Sequence, residues 1–222
     1  NANEVRQYLV NDYLPTLKNR YAGLRYTIEG EGQEQKEVLG DVGKYFIIAI
    51  FGIYALLAVP FKSFSQPFIV MAAIPFGIVG AILGHLLMGF NISIISLFGI
   101  VGLSGVVVND SLVLIHRIND LRKEGFNAHD AVIEGGKLRF RAIILTSVTT
   151  FGGLTPMMLE KSLQARFLIP MAISLGFGVL FATLITLLLI PCGYMVLDDI
   201  HNLMDKIKAM ATGRQVKAEN AS

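Results

Sequence analysis

From Ser63 to Asn109 the chain reads SFSQPFIVMAAIPFGIVGAILGHLLMGFNISIISLFGIVGLSGVVVN, 47 residues without one Asp, Glu, Lys or Arg. A membrane-crossing helix needs ~20 mainly apolar residues. The stretch is long enough for two such helices, divided at Gly89-Phe90-Asn91. A second charge-free run covers the 31 residues from Phe167 to Leu197. Whole-chain composition agrees. Of 222 residues, 53% are hydrophobic and 16% charged, with a mean hydropathy of +0.58. Soluble domains carry roughly 25% charged residues. An ordinary soluble enzyme and a disordered chain are both excluded. The net charge of +2 is too small to argue for nucleic acid. The one cysteine, Cys192, rules out an internal disulfide and a multi-cysteine metal site, and it sits in an apolar run where a packed thiol is the plainer reading.

Working outward, the predicted fold class is all-α integral membrane, with five transmembrane helices preceded by a short α/β piece. The expected spans are about 44–60, 68–88, 92–115, 141–159 and 167–197, within a membrane region 42–198. Residues 1–41 look soluble. Leu9, Leu14 and Leu17 fall near helical spacing, with Pro15 expected to kink or end that helix. Leu24 to Ile28 alternates apolar and polar as a half-buried strand does. Gly30 to Gln35 reads as a polar turn. This piece is too short for a core of its own and is expected to belong to a larger domain.

Lys and Arg mark the cytoplasmic loops. Loop 116–140 and its edge hold Arg117, Arg122, Lys123, Lys137, Arg139 and Arg141, and tail 199–222 holds Lys206, Lys208, Arg214 and Lys217. With Lys62 they share one side in a five-span topology. The N-terminal segment and the loops near Phe90 and Lys161 then lie outside. Within the basic loop, Asn127 to Leu138 is expected as a short helix along the cytoplasmic surface, capped by Asn127 with Asp130 at the third helical position.

Asn109 and Asp110 stand in the middle of the third span. A carboxylate in hydrocarbon costs ~3 kcal/mol on insertion scales, and such residues usually mark ion or proton handling. A purely structural role, pairing between helices, is the competing interpretation. Gly99, Gly102 and Gly105 repeat at intervals of three, which permits close helix contact. Thr146, Ser147, Thr149 and Thr150 open the fourth span. Hydroxyls there often bond their own backbone, but Thr146 is placed to reach Asp110 or a water chain. His85, near the outer end of the second span, could titrate, but a single histidine at a membrane end is more often an interfacial group. Pro75, Pro156, Pro170 and Pro191 are expected at kinks or span ends. No nucleophile constellation, phosphate loop, metal-ligand spacing or dinucleotide fingerprint is present. The expectation is therefore no enzyme, no cofactor and no metal.

Gly105-Val106-Val107-Val108-Asn109-Asp110-Ser111-Leu112-Val113-Leu114-Ile115 resembles the tenth transmembrane helix of the resistance-nodulation-division (RND) efflux transporters of the acriflavine-resistance type. Leu138-Arg139-Phe140-Arg141 followed by the apolar run to Thr146-Ser147 resembles the start of their eleventh helix. Tyr54 to Pro75, with Ser65-Gln66-Pro67-Phe68, resembles helices eight and nine. Tyr26 with Glu29-Gly30 resembles the chain entering helix eight from the periplasm. The resemblance covers essentially the whole chain and makes it a C-terminal fragment, helices eight to twelve behind the end of a periplasmic porter domain.

Family membership would imply much that residues alone do not give. The full-length protein is implied to be an inner-membrane homotrimer working with a periplasmic adaptor and an outer-membrane channel, among membrane lipids. Protons moving inward drive export of multidrug-type amphiphiles. The implied relay residues are Asp110, Asn109, Thr146 and Arg139. The match is by position: Thr146 with the helix-eleven threonine, Arg139 with the basic residue at that helix's mouth, and Asn109 with the asparagine after the relay lysine. The lysine position itself is Val108, a departure that makes Asp110 the candidate replacement. The fragment alone is expected not to transport. Two alternatives remain open: a sterol-sensing or protein-translocation relative, or a membrane assembly module without ion coupling.

Overall fold

The structure is a computed structural model describing residue 5, residues 8–21 and residues 31–219. The chain divides into two compact units, residues 1–40 and 41–222. In the first, a π-helical turn, Leu9–Tyr13, runs into helix α1, Leu14–Arg20. Pro15 sits in the first turn of α1. It opens that helix instead of kinking or ending it, because a first-turn residue has no intrahelical partner for its N–H. The expected strand from Leu24 to Ile28 lies outside the described residues.

The rest is built from long helices: α2 (Glu31–Phe61), α3 (Gln66–Met71), α4 (Ile74–Met88), α5 (Ile94–Lys123), α6 (Ala128–Met158) and α7 (Ile169–Glu219). Residues 31–35 are helical, so the expected polar turn is corrected. Glu, Gln and Lys are good helix formers, and adding residues to an existing helix needs no new nucleus. Asn127 caps α6 as the sequence suggested, its side chain accepting the Asp130 N–H at 2.8 Å. The helix it starts does not stop at Leu138. It runs unbroken into the expected fourth span: no Pro intervenes, and the Gly135-Gly136 pair stays helical, with Gly135 packed closely against Ile118. The expected cytoplasmic tail likewise continues α7 to Glu219. Pro75 opens α4, Pro156 lies inside the end of α6, and Pro191 stands inside α7.

Among the described residues, four stretches are long and apolar enough to cross a membrane by length and composition: Glu34–Phe61, Gln66–Met88, Ile94–Lys123 and Ile169–Lys208. The expected fourth span, on α6, is not among them. It is diluted by Thr146, Ser147, Thr149, Thr150, Gly152, Gly153 and Thr155.

Helix α7 is the pillar on which α4, α5 and α6 pack. Small residues set the distances. A Cβ on Gly80 would lie 2.5 Å from the Phe181 Cβ and 2.9 Å from the Phe177 carbonyl oxygen. A Cβ on Gly99 would lie 2.6 Å from the Met171 carbonyl oxygen. These backbones approach as closely as they do because neither glycine has a side chain. The largest core cluster joins Val70, Ile74, Val108, Leu114, Ile115, Ile143 and Ile190. Helix α2 joins it at its C-terminal end through Leu57 and Phe61. Elsewhere α2 exposes a broad apolar surface, with Phe51 70% and Leu56 76% exposed.

Candidate functional site

Helix α5 carries the polar centre. Its first turn is fixed by a reciprocal cap: Ser93 Oγ accepts the Ser96 N–H, and Ser96 Oγ accepts the Ser93 N–H. From there the helix runs 30 residues to Lys123. Leu103, Ser104, Val107, Val108, Ser111 and Leu114 face the bundle. Ser104 and Ser111 donate to the carbonyls of Val101 and Val107 on their own helix. The opposite face shows Phe98, Gly102, Gly105 and Asn109 uncovered, with Asp110 half-buried beside them.

Asp110 makes no hydrogen bond or ion pair with a described residue. Val108, the position at which the resemblance implied a relay lysine, is 7% exposed and belongs to the core. Two helical steps of ~100° separate them, so Asp110 stands on the far side of α5 from Val108. A carboxylate there does not occupy the space of a side chain at 108. Thr146 is exposed on α6, and its hydroxyl donates to the Ala142 carbonyl at 2.9 Å. No hydrogen bond joins it to Asp110. Arg139 is half-buried near the start of the same apolar run and makes no hydrogen bond or ion pair with a described residue. Of the three glycines, Gly99 lies against α7, while Gly102 and Gly105 meet nothing within 4 Å. The described helices therefore present Asn109, Asp110 and Thr146 outward and do not close them into a site of their own.

Three polar clusters inside the bundle escaped the sequence. Asn119 and Gln66 exchange amide hydrogen bonds of 2.8 and 3.1 Å, and Tyr194 Oη donates to Asn119 Oδ1 at 3.0 Å. That node ties α3, α5 and α7 together. Ser147 Oγ and Thr183 Oγ1 lie 2.6 Å apart between α6 and α7. His85, expected as an interfacial group, is instead 3% exposed. Its Nδ1 lies 2.9 Å from the Ala81 carbonyl oxygen and its Nε2 2.8 Å from Ser96 Oγ. Each cluster joins residues distant in sequence, so only a polar residue inside an apolar run could have hinted at it.

Charge collects at the ends. Arg122 pairs with Asp198 and Arg117 with Glu124, both at 3.2 Å. In the turn between α6 and α7, the amides of Ser162 and Lys161 donate to Glu160 and hold its carboxyl below the usual range. Between α3 and α7 an open groove of about 580 Å³ is lined by Phe68, Ile69, Ala72, Leu189, Val196 and Ile200. Its lining suits a lipid chain better than a polar solute. Among the described residues no three His, Cys, Asp or Glu side chains group to hold a metal.

The sequence model of the AcrB/AcrD/AcrF family matches residues 13–198. The swarming motility protein SwrC of Bacillus subtilis (strain 168) is 31% identical over 157 residues, 70% of this chain and 15% of that protein. Two crystal forms of a heavy metal efflux pump superpose on it with TM-scores of 0.70 and 0.69. They are 24% and 22% identical and cover 84% and 83% of this chain. At that identity they show the shared fold alone. The chain spans 15% of the curated relative's length and 19% of each pump chain.

Proposed function

Because the chain belongs to the AcrB/AcrD/AcrF family of RND transporters, we propose that this multi-pass membrane segment is the C-terminal membrane half of a proton-driven exporter of amphiphilic, multidrug-type compounds. The observation that carries this reading is Asp110. It is a carboxylate midway along a helix apolar enough to cross a membrane, half-buried and without a partner among the described residues. Leaving a carboxylate unsatisfied in hydrocarbon is costly, so such a residue faces a water path or another helix. The uncovered face around it, with Gly102, Gly105 and Asn109, has room for another helix to approach. Acids supplied by the rest of the protein would meet Asp110 there.

In this reading Asp110 takes up and releases the proton and Asn109 lines the same face. Thr146 offers a hydroxyl from α6, and Arg139 sets the potential at the cytoplasmic mouth. The full-length protein is a homotrimer of the inner membrane, with the N-terminal segment periplasmic and the C-terminal tail cytoplasmic. It works with an adaptor and an outer-membrane channel. The five-helix segment does not transport by itself.

The test compares Asp110→Asn with wild type in the full-length parent, in cells lacking their own pumps. Dye efflux and proton uptake into vesicles are both expected to fall to background at unchanged expression. Retention of both activities would make Asp110 a packing residue and remove the support for its role in coupling.

A further inference from the structure

We propose that the open groove between α3 and α7 binds one phospholipid with an anionic, hydroxyl-bearing headgroup of the phosphatidylglycerol kind. The proposal rests on the chain standing in a bilayer. It does not depend on proton coupling or on what is exported.

One small residue makes the floor. A Cβ on Gly193 would lie 2.8 Å from Ile69 Cγ2, so α3 and α7 touch there and close the groove from behind. The flanks are apolar, and Phe68 is 63% exposed, so the groove opens sideways toward the bilayer. Along α7 the lining runs from Leu189 to Met204. At ~1.5 Å per residue that is a length of ~22 Å. One leaflet with its headgroups is half of a bilayer ~40–45 Å thick. A single lipid has that length. A helix crossing the membrane needs both leaflets, and a small solute would leave most of the apolar lining uncovered.

Polarity is confined to one end. Ala72 and Leu189 stand at the inner end, within the charge-free runs. Ser65 and His201 stand at the other, beside and beyond Leu197, where the second run ends. Lys62 lies three residues before Ser65, in the link from α2. Neither its ammonium nor the Ser65 hydroxyl makes a hydrogen bond or ion pair with a described residue, and both residues are exposed. Among the described residues no Asp or Glu lines the groove. Asp198 is held by Arg122 and Asn202. Asp199 and Asp205 stand ~100° around α7 from the lining residues Ile200 and Met204. A lipid phosphate can therefore accept from Ser65 and Lys62 without meeting a like charge. His201 Nδ1 lies 3.1 Å from the Leu197 carbonyl oxygen, which only accepts, so Nδ1 holds a hydrogen. In the neutral ring Nε2 is left to accept from a headgroup hydroxyl.

The test uses the absence of tryptophan from the chain. Phe68→Trp reports the groove. Phe51→Trp, on the open face of α2, reports ordinary lipid contact. Each variant is placed in phosphatidylcholine vesicles with rising fractions of phosphatidylglycerol or phosphatidylcholine brominated in the acyl chains. At Phe68→Trp, brominated phosphatidylglycerol is expected to reach half of its full quenching at a roughly fivefold lower mole fraction, the increment that one lysine gives an anionic lipid. At Phe51→Trp the two lipids should quench alike. Lys62→Gln should abolish the difference and Ser65→Ala should reduce it; both positions are exposed, so the fold is kept. Equal quenching by the two lipids at Phe68→Trp overturns the proposal, and so does a preference that survives Lys62→Gln. Absence of quenching by either lipid overturns it too, because protein, such as a second copy of the chain, would then cover the groove.

Discussion

Ser147 and Ser174 are both wholly enclosed serines at helix contacts, yet they differ in what their hydroxyls do. Ser147 Oγ lies 2.6 Å from Thr183 Oγ1 and donates to Ile143 O at 3.0 Å. Ser174 Oγ is buried with no hydrogen-bond partner among the described residues. Hydrogen bonds between membrane helices average ~0.6 kcal/mol and reach ~1.7 kcal/mol. Ser147→Ala should therefore destabilise by about 1 kcal/mol, since it also strips Thr183 of a partner. Ser174→Ala removes a hydroxyl that gains nothing in the folded state, and it should leave stability unchanged or raise it. Reversible unfolding in mixed micelles measures both. An equal loss in the two variants would refute the distinction. The sequence could not separate these serines, because each sits in an apolar run and only the facing helix decides whether a partner exists. The same holds for His85, whose partner Ser96 belongs to the next helix. Asp110 was legible for the opposite reason: a lone carboxylate in a charge-free run stands out whatever faces it.

At the scale of elements, the long helices were readable from two charge-free runs and from the Asn127 cap, which depend only on local sequence. Their ends were less so. Residues 31–35 and 199–219 extend helices already formed, and polar helix formers look the same in an extension as in a loop. Contact faces were least legible. Gly99, Gly102 and Gly105 share a spacing, but of these only Gly99 touches α7; Gly77, Gly80, Gly84 and Gly178 also take part in that close packing. The consequence is testable. Gly80→Ala would press a methyl onto the backbone of Phe177 and the Cβ of Phe181, neither of which can swing away. Overpacking of this kind costs ~1–3 kcal/mol. Gly102→Ala meets open space and should not change the stability of this chain. In the full-length parent, however, Gly102→Ala should reduce efflux if another helix closes over that face. A Gly80→Ala variant as stable as wild type, read by unfolding in detergent, would show that α4 and α7 pack more loosely than described.

For the whole molecule, apolar exposure is not in itself a reason to associate, because lipid is as apolar as leucine. Helix α2, with Phe51, Leu56 and Val59 turned outward, is at home against acyl chains. The face of α5 with Gly102, Gly105, Asn109 and Asp110 is different. It offers small residues for close approach and polar groups whose partners are missing, the two features that drive helices together in a membrane. The relatives are much longer chains, of which this one spans 15% to 19%. This segment, expressed alone, should satisfy that face with a second copy of itself. Light scattering with detergent subtraction should find dimers or larger species at micromolar protein, and Asp110→Leu together with Asn109→Leu should shift them toward monomer. Supplying, in the same membrane, the N-terminal half that the proposed full-length protein would have should displace the self-contact and leave a one-to-one complex. A monodisperse monomer in detergent would count against the argument, because the half-buried carboxylate would then be satisfied by water and headgroups alone.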